Sequence, residues 1–310
     1  PTVANTLTGI FNNIVLPATI QAAQAPKFRN AIFKRVWMYP QAKSANVGQT
    51  VNIDIPTVDE ADVIDIGNGA IQIRDGVHTN VPIVVNQNPS VSFKIPEFDS
   101  FRSPLDFQRL YADAKMEALL RKVNRTIANL TLSFDTYTAI TSTASNVNSF
   151  ARVDVTGAWT NLRGAGAPDN VEDNTLILHH VPYGNMAGDT AWAQESIVGI
   201  NQAQSVQMGA RFMPQYGCMV DYDQTMPLTT GGKYTGLMLN RYAIGVVPIT
   251  PPINSDSFIQ ESVVYPNNGE LAFRVQLWRD PKEQAYVIHM HCVYGLAILR
   301  KAYGSLLQTA

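Results

Sequence analysis

Charge is what this chain has least of for its size. Only 15% of its 310 residues are Asp, Glu, Lys or Arg, against roughly 25% in an ordinary soluble domain. Solvated surface normally carries those groups. Their scarcity implies that much of the surface faces other protein, with Asn, Thr, Ser and Gln supplying neutral hydrogen bonds instead. The signs nearly cancel, at 23 basic against 25 acidic side chains and a net charge of −2, which excludes a strongly basic nucleic-acid binder. Cysteine is almost missing. Cys218 and Cys292 are the only two, so there is no disulfide framework and no demand for an oxidising compartment. No run of about 18 apolar residues is present to cross a membrane as a helix, and no leader-like segment opens the sequence, so cytoplasmic synthesis is expected. Catalytic signatures are scarce as well. No G-x-S-x-G elbow occurs, neither cysteine sits in a nucleophile motif, and the Gly-rich stretch Arg163 to Pro168 lacks the GK[ST] of a phosphate loop.

What is present is organised around one stretch, Ser103 to about Leu132. Ser103 reads as an N-cap, Pro104 suits the first helical position, and Asp106 complements the positive end of the dipole. Ala112, Met116, Leu119, Leu120, Val123, Ile127 and Leu130 then recur at three- and four-residue steps, which places them on one helical face. At about 1.5 Å per residue, such a helix is a rod of roughly 45 Å. It is a spine for the rest of the chain to pack around.

Residues 1–46 read as an arm, charge-free up to Lys27, followed by a small basic patch of Lys27, Arg29, Lys34 and Arg35 among Phe28, Phe33 and Trp37. Four cations are too few to track a nucleic-acid backbone, so a structural role is the better reading. From 47 to 99 the period changes to two. Val51, Ile53 and Ile55 alternate with polar residues, as do Ile71 and Ile73, Val81, Ile83 and Val85, and Val91, Phe93 and Ile95. Gly67-Asn68-Gly69 and Asp75-Gly76 mark turns between these runs. Here a long β-hairpin or meander is expected, with Asp59, Glu60, Asp62 and Asp65 before its first turn. Alone it would expose strand edges, so it should lie on something. Residues 133–174, rich in Thr, Ser, Asn and Gly, read as loops or weak strands. Strands are then expected at TLILHHVP, Cys218–Tyr222, within 235–250, at Leu271–Trp278 and from Ala285 to Leu299, with a helical pattern from Tyr183 to about Ser205. The mixture predicts an α+β fold.

Two groups invite a chemical reading. His289 and His291 share one face of a strand, while His179 and His180 are neighbours on another. A metal-dependent enzyme using His179, His289 and His291 is the reading from another functional class, because Zn²⁺ accepts imidazole ligands. The spacing matches no established zinc pattern, so no cofactor and no metal site are assigned and no enzyme is expected. Asp221 and Asp223 could form a carboxylate pair or a weak cation site, but read better as a solvated strand end. The sequons at Asn124 and Asn129 fall inside the spine helix and are set aside.

With these pieces in order, the chain resembles the major capsid proteins of tailed bacteriophages, which share the HK97-like fold. The resemblance is carried by LILHHVPYGNMAG followed by a helix, by MGARFMPQYGCMVDYDQTMP with Gly209, Gly217, Val220 and Pro227, by Gly236 to Val247, and by Gly295 to Thr309. It implies an N-terminal arm at 1–46, an extended β-hairpin loop at 47–99, a peripheral domain at 100–174 with the spine helix at 103–132, an axial domain at 175–262, and returning peripheral strands at 263–310. It further implies hexamers and pentamers of this chain in an icosahedral head enclosing double-stranded DNA, which is contacted non-specifically. Portal and scaffolding proteins are the implied partners, with a decoration protein as an option and no membrane. Assembly in the host bacterial cytoplasm into a virion is expected. Ile64, Ile66, Ile71, Ile73 and Arg74, at and beside the hairpin turn, are expected to contact a neighbouring subunit. An encapsulin-like compartment shell is the alternative with the same fold. No Lys and Asn pair for covalent cross-linking is identified.

Overall fold

A computed structural model describes residues 7–24, 32–39, 48–56, 78–96, 104–134, 140–144, 146–188, 218–229, 231–253, 259–264 and 271–310. The expected spine is there, as a helix of 27 residues from Pro104 to Leu130 that tightens into a 3₁₀ turn at Thr131–Phe134. Its apolar stripe is buried as the spacing requires: Ala112, Met116, Leu119, Val123 and Ile127 are almost inaccessible to solvent. Leu120 and Leu130 are half-buried against the same core. Ser103, the expected N-cap, lies outside the described residues. Two short helices, α1 (Leu7–Ile10) and α2 (Leu16–Gln24), joined by a π-helical turn, lead the chain in, and Phe11 and Val15 pack into that core. In this numbering the spine helix is α3.

Six strands form the first sheet: β1 (Trp37–Met38), β4 (Ser90–Pro96), β9 (Ile244–Ile249), β10 (Gln260–Val264), β11 (Phe273–Asp280) and β12 (Ala285–Ile298). The 14-residue β12 is its axis. Residues 285–291 pair with β4, β11 runs along the same stretch, and residues 293–298 pair with β9. Alternation sends Val275, Leu277, Ile288, Met290 and Phe93 into one core with α3, and sends Arg274, Gln276, His289 and His291 to the other face. The run Val91–Ile95 therefore does not belong to the hairpin. It leaves to pair with β12, where Phe93 and Ile95 find α3's apolar stripe to cover them.

The second sheet has the order β5 (Ile140–Thr141), β13 (Gly304–Gln308), β8 (Thr235–Asn240), β6 (Asn174–His179) and β7 (Met219–Asp223). All six residues of β6 and of β8 are buried, as expected of strands covered on both faces. Part of that cover is a helix the sequence reading did not anticipate, α4 (Arg152–Gly164), in a segment expected to be loops or weak strands. Val155, Ala158 and Leu162 carry its buried stripe, but Gly157 and the surrounding Ser, Thr and Asn obscure it. Its start is fixed by tertiary bonds. The buried Asp154 carboxylate accepts from the N–H groups of Ala151 at 2.7 Å and Thr143 at 3.2 Å, and from both hydroxyls of Ser142 and Thr143. The segment GLMLNRYAIGVV is two strands, β8 and β9, which a 3₁₀ turn at Arg241–Ala243 delivers to different sheets.

Helix α3 packs against β4 and β12 of the first sheet through apolar contact. Its polar link to the second sheet lies at Asn124. Asp223, at the end of β7, is fully buried, not the solvated strand end expected, and Asp221 is buried as well. One carboxylate oxygen of Asp223 accepts from Asn124 Nδ2 at 2.7 Å and from the Ile32 N–H at 3.4 Å. The other accepts from the N–H of Thr225 at 2.8 Å and its Oγ1 at 2.6 Å. Asn124 also donates to Thr225 Oγ1 and accepts from the Phe33 N–H at 3.2 Å. Six donated bonds thus tie the arm, the spine and the second sheet together at one point. Removing a buried acceptor leaves its donors unsatisfied, at about 1–3 kcal/mol each. Asp223→Ala is therefore expected to lower the unfolding free energy by about 3–5 kcal/mol in urea denaturation of the unassembled protein; a loss below about 1 kcal/mol would contradict this role.

Candidate functional site

β2 (Thr50–Pro56) and β3 (His78–Val84) form the expected hairpin, paired from Thr50 with Val84 out to Pro56 with His78. One face alternates inward. Ile53 and Ile83, with Val85, sit in a small second core on Val247, Ile249 and Val293 of the first sheet. Each fully buried aliphatic side chain there contributes about 1.5–3 kcal/mol, so the foot of the hairpin is anchored on its own chain. Reciprocal bonds between Gln87 and Tyr294 at 3.0 Å extend the anchor. Gly295 permits the crossing: a Cβ at that position would meet the Val84 carbonyl oxygen at 2.8 Å and Ile83 Cγ2 at 2.9 Å.

Beside this foot lies an open cleft. One cavity of about 300 Å³ is walled by Trp37, Ile53, Ile55, Tyr242, Leu299 and Tyr303. It continues into another of about 480 Å³ across the shared residues Ile55, Pro56, Leu299, Arg300 and Tyr303. Tyr242 is 38% exposed, well above what an aromatic ring in a closed core shows. Arg300 stacks its guanidinium over the Tyr303 ring at 4.9 Å, donates to Tyr303 Oη at 2.7 Å, and reaches the Pro56 carbonyl at 3.4 Å. The sequence reading did not pick out this cleft, because its walls come from residues 37, 53–56, 165–168, 242 and 299–303, which only the fold brings together. The residues it did select, Ile64, Ile66, Ile71, Ile73 and Arg74, lie outside the described residues.

The histidines do not converge. His179 ends β6 in the second sheet, and His180 opens helix α5 (His180–Gly188) instead of continuing the strand. The two rings therefore stack, with centroids 4.1 Å apart, and do not point to opposite faces. His179 Nδ1 accepts the Val181 N–H at 3.2 Å at the helix start, and burial, then His180, lowers its pKa to about 4. His289 and His291 do share a face of β12, with ring centroids 5.2 Å apart. They stand beside a buried ion pair in which Arg274 Nη2 reaches Glu261 Oε2 at 2.5 Å, and the Ser92 hydroxyl lies 2.7 Å from His289 Nδ1. His291 is lowered to about 4, by burial first, then by His289 and Arg274, with Glu261 opposing. No group of three His, Cys, Asp or Glu side chains is placed to hold a metal ion among the described residues. The His179, His289 and His291 site thus has no structural basis. Both cysteines are buried free thiols. Burial pushes the Cys218 thiol up to about 12 despite Arg163, and burial raises Cys292 as well, the opposite of what a nucleophile needs. Among the described residues no helix is long and apolar enough to cross a membrane.

No family model matches this sequence, and no curated protein does. Solved structures do. A chain of Mycobacterium phage Che8 is 15% identical and superposes with a TM-score of 0.63 over 90% of this chain and 91% of its own. The capsid structure of the cyanophage P-SCSP1u follows at 13% identity and a TM-score of 0.59, covering 89% of this chain and 86% of that one. A virus-like particle from Pyrococcus furiosus gives 10% identity and a TM-score of 0.55 over 94% and 96%. The fold is therefore the α+β, HK97-like fold of capsid proteins.

The depressed histidines carry a pH signature. His291 stays neutral in the folded protein down to about 4, against 6.5 when unfolded. Between those values the unfolded chain binds more protons, so stability present above the higher value is lost as pH falls toward the lower one. Replacing His291 with Gln removes that contribution. The drop in Tm from about pH 7 to about pH 5 should be shallower in His291→Gln than in the parent protein, with His179 and His289, both also lowered chiefly by burial, keeping the remainder. Parallel Tm profiles would contradict the assignment.

Proposed function

We propose that this chain is the major capsid protein of a double-stranded DNA tailed phage, a structural and non-enzymatic subunit that assembles as hexamers and pentamers into the icosahedral head. The observation that carries this reading is the likeness over about nine-tenths of the chain to chains from phage particles, including the cyanophage capsid. The composition supports it, since a 15% charged fraction suits a surface spent on protein contacts. So does the hairpin, whose foot is anchored while its two strands, among the described residues, form a ladder only with each other. Individually weak contacts suffice, because closed symmetry multiplies them. A net charge of −2 suits a wall that confines DNA without binding it tightly, as each neutralised phosphate would add salt-dependent affinity. Portal and scaffolding proteins, and an optional decoration protein, are the partners in this reading. The virion is its location, after assembly in the host cytoplasm, with the hairpin of β2 and β3 as the extended loop and 175–262 as the axial domain.

A second reading is favoured by the likeness to the Pyrococcus furiosus particle, which covers 94% of this chain: an encapsulin-like compartment built from the same fold around a protein cargo. Purified particles distinguish the two by content, packaged DNA in one case and an enzyme in the other. Both require the hairpin to make subunit contacts through Ile64, Ile66, Ile71, Ile73 and Arg74. Replacing Ile71 and Ile73 together with Asp should leave a folded, soluble protein by circular dichroism, yet reduce large assemblies in light scattering by at least about tenfold, because buried carboxylates in an interface cost several kcal/mol. Particles at parental yield would overturn the assignment of these residues.

A further inference from the structure

We propose that the cleft beside the hairpin foot is a binding site for a small amphipathic carboxylate. The apolar body of the ligand lies against Trp37, Tyr242 and Leu299, and its carboxylate meets Arg300. The site belongs to the single subunit and does not depend on the shell reading above.

The smaller lobe, of about 300 Å³, is walled by Trp37, Ile53, Ile55, Tyr242 and Leu299. That volume falls at the small end of the range for small-molecule sites, about 300–1,000 Å³. The Trp37 and Tyr242 rings stand 6.1 Å apart and are inclined at 59°, so the lobe offers two aromatic surfaces to a flat group. Tyr242 is 38% exposed, and covering it would remove apolar surface from water. Asp54 also borders this lobe, but strand alternation turns its side chain away from the side that Ile53 and Ile55 face. Its Oδ1 accepts from the Asn80 side-chain amide at 3.0 Å on that other face.

Arg300 is the one Lys or Arg lining the cleft among the described residues, and it borders both lobes. It pairs with no carboxylate among them, whereas Arg274 pairs with Glu261, Arg121 with Glu117, and Arg163 with Asp169. Its guanidinium is nonetheless held in position. It stacks over the Tyr303 ring at 4.9 Å and donates from Nη1 to Tyr303 Oη at 2.7 Å. That hydroxyl donates onward to the Gly166 carbonyl at 3.2 Å, so its proton is committed and a lone pair is left for Arg300. Nη2 makes a long contact of 3.4 Å to the Pro56 carbonyl. A half-buried guanidinium fixed on one side and weakly engaged on the other is suited to take a carboxylate through its planar fork. The attraction is also stronger at such a wall than in bulk water, because the effective dielectric there is lower. A neutral ligand would use the apolar walls alone, and a cation would be repelled. An occupant spanning both lobes would touch Ile55 of β2 and Gly166 beyond α4, bracing the hairpin foot against that loop.

Calorimetric titration of the full chain with 2-naphthoate, and with its neutral isostere 2-naphthamide, tests the site. Naphthoate should bind with a Kd of about 0.1 mM, and the amide about tenfold more weakly. Arg300→Gln should weaken naphthoate binding about tenfold and leave amide binding unchanged. A merely structural role for Arg300 would not split the two ligands in this way. Ile55→Trp, which fills space common to both lobes, should abolish binding of both while keeping the parental circular dichroism spectrum. The Arg300→Gln comparison decides the matter even where Ile55→Trp does not fold. No binding of naphthoate up to about 5 mM overturns the proposal. So does equal affinity for acid and amide, or an Arg300→Gln variant that binds naphthoate like the parent or loses both ligands alike. Parental affinity in a folded Ile55→Trp variant places the ligand elsewhere and overturns it too.

Discussion

The bonds between Asn124 and Asp223 join parts that the apolar core alone would leave free to slide. Hydrophobic contact is non-directional, and α3 presents one smooth stripe of Met116, Leu119, Val123 and Ile127. A hydrogen-bonded carboxylate has a required distance and angle. With its acceptor positions answered by Asn124, Thr225 and the Ile32 N–H, Asp223 fixes where β7 stands along the helix. The same side chain of Asn124 receives the Phe33 N–H, so the arm is registered to the helix as well. Buried polar groups satisfied in this way specify one arrangement among several that apolar packing would tolerate.

Much of this was legible in the sequence, and the exceptions have physical causes. The α3 stripe, the alternation of β2 and β3, and the long β12 depend on local periodicity, which the chain displays openly. Asn124 was set aside with its sequon, although it stands four positions after Leu120 and three before Ile127, on the buried stripe itself. A residue of that kind in that place asks for a buried partner, but its identity, 99 positions away, is set by tertiary structure. Helix α4 was hidden because its start depends on what Asp154 binds in the preceding loop, and because Gly157 interrupts its stripe. His180 was misplaced onto a strand because β6 and α5 meet with no Gly or Pro to mark the join before Val181-Pro182. The apolar run around Arg241 gave no warning that it serves two sheets.

The candidate site divides along the same line. The hairpin announces itself through period two and through its turn residues. The cleft beside its foot does not, because Trp37, Ile55, Leu299 and Arg300 are scattered over the chain and carry no shared pattern. Glycines offered a partial clue. Gly295 lies where β3 crosses β12, and Gly304 lies where the Phe134 ring closes on β13. Both mark places where backbone must come unusually near another element. An anchored hairpin foot, a 15% charged fraction and an open cleft beside that foot are the features that suit the proposed shell reading.

Negative-stain electron microscopy of the protein, expressed alone and together with its neighbouring genes, tests the central claim most directly. Closed shells tens of nanometres across, ordered enough to show hexameric and pentameric units, are the predicted result, with about the size expected for many copies closing by symmetry. Small soluble species under both conditions, with no shell at any protein concentration, would contradict it.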